Sequence, residues 1–138
     1  MAINIDGSIG EGGGQVLRTS LALAALKQEE IHINNIRASR PKSGLQPQHL
    51  TALQTLATIC SAGLEGVTRD STEVVFHPKN IESKQFAVNI GTAGSISLLI
   101  QQLLPIALKA DLKIRITGGT NVEWSPPIEF LKNSLFPV

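Results

Sequence analysis

Apolar residues in this chain alternate singly over short stretches and recur every three or four positions over longer ones, so strands and helices take turns. Ile3 and Ile5 alternate with polar neighbours up to Asp6-Gly7, which predicts a short opening strand. Gly12 to Gly14 then open a predicted helix. Its Val16, Leu17, Leu21, Leu23 and Ala24 are spaced for one buried face, and it ends between Lys27 and Glu30. Ile31, Ile33 and Ile36 predict a second strand, followed by a loop from Arg37 to Gln46 that contains Pro41 and Gly44. Pro47 suits the first turn of a second helix, with Leu50, Leu53, Leu56, Ala57 and Cys60 as its apolar stripe and Gly63 as its stop. Two short strands, Leu64–Thr68 and Glu73–His77, complete a hairpin through Arg69 to Thr72.

The order then begins again. Phe86, Val88 and Ile90 predict a strand, Gly91 to Ser95 a small-residue turn, and Ile96 to Leu108 a helix. Ile114 and Ile116 predict a strand, Gly118 to Pro127 a loop, and Ile128 to Leu135 a helix. Gly14 matches Gly94, Ile33 matches Ile114 and Pro47 matches Pro127, an offset of about 80 residues that is longer than solenoid periods. The expected fold class is α+β: tandem β-α-β-α-β-β modules, residues 1–80 forming one and 81–138 a second that stops before its closing hairpin. Such a chain is expected to be part of a longer protein. An unfinished sheet edge and the face near Ile128 to Phe136 would also invite self-association.

The strands on either side of each unit's first helix are expected to be parallel, so the loops that follow them open at one sheet edge. That geometry predicts convergence of Glu11, Arg18, Arg37, Arg40 and Lys42. A length of 138 residues and a net charge of +1 give one core and no global field that would demand nucleic acid, so any anion site must be local. The single cysteine, Cys60, fits a reducing compartment. Gln101, Gln102 and Pro105 interrupt the longest apolar run, Leu98 to Leu108, and no basic-then-apolar leader opens the chain. A soluble, cytoplasmic protein without a membrane span is expected.

Candidate chemistry concentrates at the first turn and the basic loop. GSIGEGGGQ lacks the lysine and hydroxyl of a P-loop and the spacing of a dinucleotide fingerprint. It reads either as a bare strand-to-helix turn or as a phosphate cradle of backbone N–H groups around Gly13 and Gly14. Glu11 is either a carboxylate beside a magnesium-bound phosphate or a helix-start acid favoured by the macrodipole. Arg37, Arg40 and Lys42 repel one another unless water or a shared anion separates them, and arginine's planar fork suits phosphate oxygens. Arg18, one turn into an apolar helix, either snorkels or joins that anion. His49, with Gln46 and Gln48, either caps the second helix or reaches phosphate or ribose. His32 and His77 read as surface residues, and the three histidines and Cys60 show no metal-ligand spacing. No serine–histidine–acid set and no pair of carboxylates stands out. One of Gln101 and Gln102 is expected to face a polar site. Trp124 is expected to pack, and Pro126-Pro127 either enters a helix or presents a flat wall to a base.

Four blocks in this order, DGSIGEGGGQVLRTSLAL, IRASRPKSGLQPQHLTAL, GTAGS followed by LLIQQLLP, and GGTNVEWSPP, resemble the amino-terminal part of the RNA 3′-terminal phosphate cyclases. The resemblance implies copies of a β-α-β-α-β-β unit, the module also found in enolpyruvate transferases. It implies an ATP-dependent ligase with Mg²⁺ or Mn²⁺ and an RNA 3′-phosphate as substrate. In that reaction a histidine becomes adenylylated, AMP passes to the RNA 3′-phosphate, and the vicinal 2′-hydroxyl displaces AMP to close a 2′,3′-cyclic phosphate. By the resemblance Glu11 is the metal-side carboxylate. Arg18, Arg37 and Arg40, with Lys42 and His49, face the phosphate or RNA end, and Gln48 is a polar contact behind them. Gln101, Pro126, Gly13 and Gly14 lie on the ATP side. The family's nucleophilic histidine belongs far towards the carboxyl end of a chain more than twice this length, and none of His32, His49 and His77 matches it. The expectation is a fragment without its catalytic residue, inactive alone. A non-catalytic RNA-binding or ribosome-assembly relative is the alternative.

Overall fold

A computed structural model describes residues 2–120, 122, 123, 125–127, 129 and 131–135. Strands β1 (Ile3–Asp6) and β2 (Ile31–Asn34) lie side by side and parallel, because helix α1 (Gly14–Lys27) carries the chain back between them. Helix α2 (Pro47–Cys60) makes the next return, and β3 (Gly63–Glu65) and β4 (Val74–His77) close the sheet as an antiparallel pair, in the order β1-β2-β4-β3. Period-two alternation sets its faces. Ile31, Ile33, Val74 and Phe76 point to the helices and are buried, whereas His32, Val75 and His77 point outwards.

A second, two-stranded sheet pairs β5 (Lys84–Ser95) in parallel with β6 (Leu112–Gly119), joined through helix α3 (Ile96–Ala107). Leu17 and Leu21 of α1, Leu53 and Leu56 of α2, and Leu99, Leu103 and Ile106 of α3 belong to one apolar cluster that reaches both sheets. The molecule is a mixed α+β structure with all three of these helices against a shared core. Among the described residues no helix is long and apolar enough to cross a membrane.

Several boundaries differ from the sequence reading. Gly91 to Ser95 is not a free turn: β5 runs through it to Ser95, with register irregularities after Asn89 and after Gly91 that take up the extra residues. Small residues therefore mark a bulged strand here. Helix α2 is ended by Ser61 in the left-handed conformation (φ 49°), and Gly63 already belongs to β3. The hairpin strands are shorter than the alternation suggested, and Ile36 leaves β2 to become a buried loop anchor. Strand β6 extends through Gly118 and Gly119, which had read as loop. Of the last predicted helix, Leu131–Leu135 forms a short π-helical segment. Trp124, Ile128 and Phe136 lie outside the described residues.

Candidate functional site

The ends of β1 and β2 are stitched together. Asn34 O accepts from Gly7 N–H at 2.7 Å, and Asp6 Oδ1 accepts from Ser8 N–H at 2.9 Å, Ser8 Oγ at 2.7 Å and Asn35 Nδ2 at 3.2 Å. The Ser8 bonds, then that from Asn35, hold the Asp6 carboxyl below its usual range. This places the glycine turn against the loop that follows β2. That loop is anchored by buried Ile36 and Leu45 and by backbone bonds to the β3–β4 connection, including Ile36 N–H to Thr72 O at 2.9 Å and Leu45 N–H to Ser71 O at 2.9 Å. Its charged residues are thereby left on the rim.

Four cationic or basic side chains meet at the start of α1. Arg18 is only 7% exposed, yet among the described residues its one side-chain hydrogen bond runs from Nη2 to Gln15 Oε1 at 3.2 Å. Among the described residues no carboxylate pairs with it. Burial lowers its pKa from the ordinary guanidinium value. A Cβ built on Gly14 would lie 2.6 Å from His49 Nε2 and 2.8 Å from Arg18 Nη1, and one on Gly13 would lie 3.1 Å from Arg40 Nη2. The absence of side chains at these two glycines is what lets the cations close on the helix start. Arg40 approaches Glu11 at 3.7 Å, but the Glu11 side chain is 94% exposed and neutralises little. Arg37 is half-buried, donates to Lys42 O, and is pushed down in pKa by burial and then by Arg40.

His49 has a defined job. Its Nδ1 accepts from Gln46 N–H at 3.0 Å, one half of a reciprocal cap on α2, so the ring's proton sits on Nε2. Burial, then Arg37 and Arg18, pushes its pKa down to about 4. It is a neutral donor among cations. Capping and facing the site, alternatives in the sequence, are both true of this side chain.

Helix α1 itself adds donors. Gly13 offers no side-chain cap and the first turn holds no acid, so the leading N–H groups are available to an anion. Buried Arg18 also lines a cleft of about 100 Å³ between α1 and α3, together with Gln15, Gln101 and Gln102. Gln102 is the buried glutamine: its Nε2 donates to Ala52 O at 3.1 Å and its Oε1 has no partner among the described residues. Gln101 is half-buried on the same cleft.

The structure thus brings Glu11, Gly13, Gly14, Arg18, Arg37, Arg40 and His49 together, with Gln101 one cleft away. Gln48 sits half-buried in the first turn of α2, and Lys42 contributes its carbonyl to Arg37 while its own side chain is exposed. Pro126 is half-buried beyond β6, and no hydrogen bond or cavity among the described residues joins it to the cluster. Gln15, which braces Arg18, was missed; its i,i+3 spacing to Arg18 was the available signal. No group of three or more His, Cys, Asp or Glu that could hold a metal occurs among the described residues. One exposed carboxylate such as Glu11 still fits a magnesium-like ion carried mainly by substrate phosphates.

The remaining histidines are committed elsewhere. His77 lies between Glu30 and Glu65, bonded through Nδ1 and Nε2 respectively, and His32 Nε2 meets Glu73 at 2.9 Å, all on the outer face of the larger sheet.

The family model described as RNA 3′-terminal phosphate cyclase matches residues 9–138. An RNA 3′-terminal phosphate cyclase of Hyperthermus butylicus is 54% identical over 132 residues, covering 94% of this chain and 37% of that protein. Those of Pyrococcus abyssi and Pyrobaculum aerophilum are 53% and 51% identical, over 95% and 96% of this chain and 39% and 38% of their own lengths. The chain spans less than two fifths of the length of these curated relatives.

Proposed function

The chain belongs to the RNA 3′-terminal phosphate cyclase family, and from that premise we propose that it supplies the phosphate-holding half of an ATP-dependent RNA-end cyclising centre. One observation carries the proposal: a buried guanidinium, Arg18, with no carboxylate among the described residues, at an uncapped helix start ringed by Arg37, Arg40 and His49. A desolvated, unpaired cation is costly in a folded protein unless a ligand completes it. A phosphate group does so through charge-assisted bonds from the arginines, the His49 Nε2–H and the N–H groups that follow Gly13.

The chemistry asks these residues for charge neutralisation and alignment. An RNA 3′-phosphate attacking a nucleotide-derived AMP brings two anions together, and closing the cyclic phosphate needs the terminal phosphate held still for its neighbouring 2′-hydroxyl. Arg18, Arg37 and Arg40 oppose the repulsion, and Lys42 and Gln48 border the same anion. Gln101 reaches the nucleotide along the α1–α3 cleft, with Gly13 and Gly14 under its phosphates and Pro126 as a wall for its base. Glu11 would hold Mg²⁺ or Mn²⁺, which would offset charge on the leaving diphosphate. The same reading makes residues 1–80 and 81–138 two related units of a longer cyclase in a reducing cytoplasm.

No histidine here is offered as the nucleophile. His49 Nδ1 is occupied as a cap acceptor, and His32 and His77 are held by glutamates on the opposite sheet face. The test incubates the 138-residue chain with labelled ATP and Mg²⁺, then measures its binding to oligoribonucleotides ending in a 3′-phosphate or a 3′-hydroxyl. The expected result is no stable AMP adduct and a clear preference for the 3′-phosphate. AMP on a histidine of this chain, or equal binding of both ends, would overturn the reading.

A further inference from the structure

The distribution of acids outside the site is uneven. Residues 31–64 contain none, and residues 83–122 contain only Asp111. The outer face of the larger sheet carries Glu30, Glu65 and Glu73 around its two histidines. On the smaller sheet, register places Gln85 beside Lys113, Ala87 beside Arg115 and Asn89 beside Thr117, all exposed. Neither Lys113 nor Arg115 has an ion-pair partner among the described residues.

This acid-poor surface approaches the phosphate site along α2, whose N-cap Gln46 also bonds Asp70 at 3.1 Å. Helix α2 starts at Pro47, beside His49, and its polar positions Thr51, Gln54 and Thr58 run away from the site along one side. They form a groove of about 240 Å³ with Phe86 to Asn89 of β5. A second depression, lined by Lys113 and Arg115, shares Phe86 and Ala87 with the first. The path ends where acids return, at Asp111 and at the Glu82–Lys84 pair.

We propose that this strip seats the nucleotides that precede the terminal phosphate of a single-stranded RNA, with Lys113 and Arg115 neutralising phosphates at its far end. The inference rests on the reading of the α1 start as the terminal-phosphate site. Charge complementarity selects the occupant: hydroxyl and amide groups beside the site match ribose hydroxyls and phosphate oxygens, and the cations lie farther out. Among the described residues the strip's one aromatic is the half-buried Phe86, and its other groups are hydroxyls, amides and cations, so it follows the backbone more than the base sequence. The 14 residues of α2 extend about 21 Å, the length of roughly six stacked nucleotides.

The experiment titrates the 138-residue chain with 3′-phosphorylated oligoribonucleotides, from a dinucleotide to about twelve nucleotides, at several salt concentrations. Affinity is expected to rise with length and level off once the strip is filled. Lys113→Glu with Arg115→Glu should weaken the long oligonucleotide about tenfold and flatten its salt dependence by about 1.4 in the log–log slope, leaving the dinucleotide unchanged. Gln54→Glu with Thr58→Glu, at exposed helix positions, should act the same way if altered strands unsettle the fold. Affinity independent of length, or a length effect that survives both double variants, would overturn the strip while leaving the terminal-phosphate reading intact. Loss of 3′-phosphate preference in the unaltered chain would instead defeat that underlying reading. If the variants change self-association and leave RNA binding untouched, the strip is a contact between copies and the proposal fails.

Discussion

Two strand–helix–strand units with the same parallel topology sit in this molecule, and only one gathers cations at its helix start. In β1–α1–β2 the chain leaves the sheet at Asp6, turns through seven residues rich in glycine, and enters α1 with no side-chain cap. In β5–α3–β6 the chain stays paired until Ser95, which stands opposite Gly119 and whose Oγ accepts from Leu98 N–H at 3.2 Å. One helix start is open, lined by Arg18, Arg40 and His49; the other is closed by its own residues and holds no charge. Topology supplies the place for a site. Whether the helix donors are already satisfied decides whether a ligand is wanted.

Acid should expose the difference most strongly. The folded His49 has a pKa of about 4, below its ordinary value, so the unfolded chain binds a proton that the folded chain refuses. As pH falls from about 6.5 to about 4 this group should cost roughly 3 kcal/mol of stability. His77 acts in the opposite sense. Its hydrogen bonds to Glu65 and then Glu30 raise its pKa, so its contribution is complete below the ordinary histidine value and lost as pH rises past the raised one. From pH 6.5 to about 4 the fall in urea midpoint should flatten in His49→Gln and stay as steep in His77→Gln. The His77→Gln protein should instead lose the decline that the parent shows as pH rises past the ordinary histidine value. Inorganic phosphate should blunt the His49 loss by stabilising the charged ring. A His49→Gln protein as acid-sensitive as the parent would mean that the open helix start is not held by a neutral imidazole.

Removing Arg18 separates binding from stability. Arg18→Met should weaken a 3′-phosphorylated oligonucleotide by about 2 kcal/mol, roughly thirtyfold, because a charge-assisted bond is lost. It should also raise the melting midpoint, since an unpaired buried charge gives way to apolar packing beside Leu17 and Leu21. A variant that binds weakly and melts lower would make Arg18 a structural residue, and the two units would then differ only in their capping.

The closed unit offers the matching control. Ser95→Ala removes the cap on α3 at a residue 1% exposed and should cost about 1 kcal/mol of stability, with phosphate affinity unchanged. Any fall in affinity would show that the two helix starts are coupled through the shared core.

Much of this contrast was legible in the chain. Spacing located α1, α2 and α3, and the cation count between Arg37 and Lys42 pointed to the edge where Arg18, Arg40 and His49 gather. What periodicity could not show was closure. GEGGGQ and GTAGS look alike as small-residue runs, yet the second stays in a sheet because β6 pairs with it, a partner residues distant in sequence. Gln101 and Gln102 are adjacent and chemically identical. Only the packing of α3 against α2 decides that Gln102 is buried against Ala52 O while Gln101 faces the cleft. His49 is similar: the Gln46-x-x-His49 spacing signalled a cap, but the approach of Arg18 to the same ring depends on Gly14 lacking a side chain.

The smallest effect tests the contrast most directly, by giving the open helix the other's cap. Gly13 has extended dihedral angles, φ −95° and ψ −172°, that any residue adopts, and an added Cβ would meet only the movable end of Arg40 at 3.1 Å. Gly13→Ser should therefore fold and gain a few tenths of a kcal/mol as its hydroxyl takes a leading N–H. Phosphate affinity should fall severalfold, because that N–H is withdrawn and Arg40 is displaced. If the serine variant gains stability with phosphate affinity unchanged, the arginines alone hold the anion. The uncapped start of α1 would then be a by-product of the glycines that admit Arg18 and His49, and not itself a binding element.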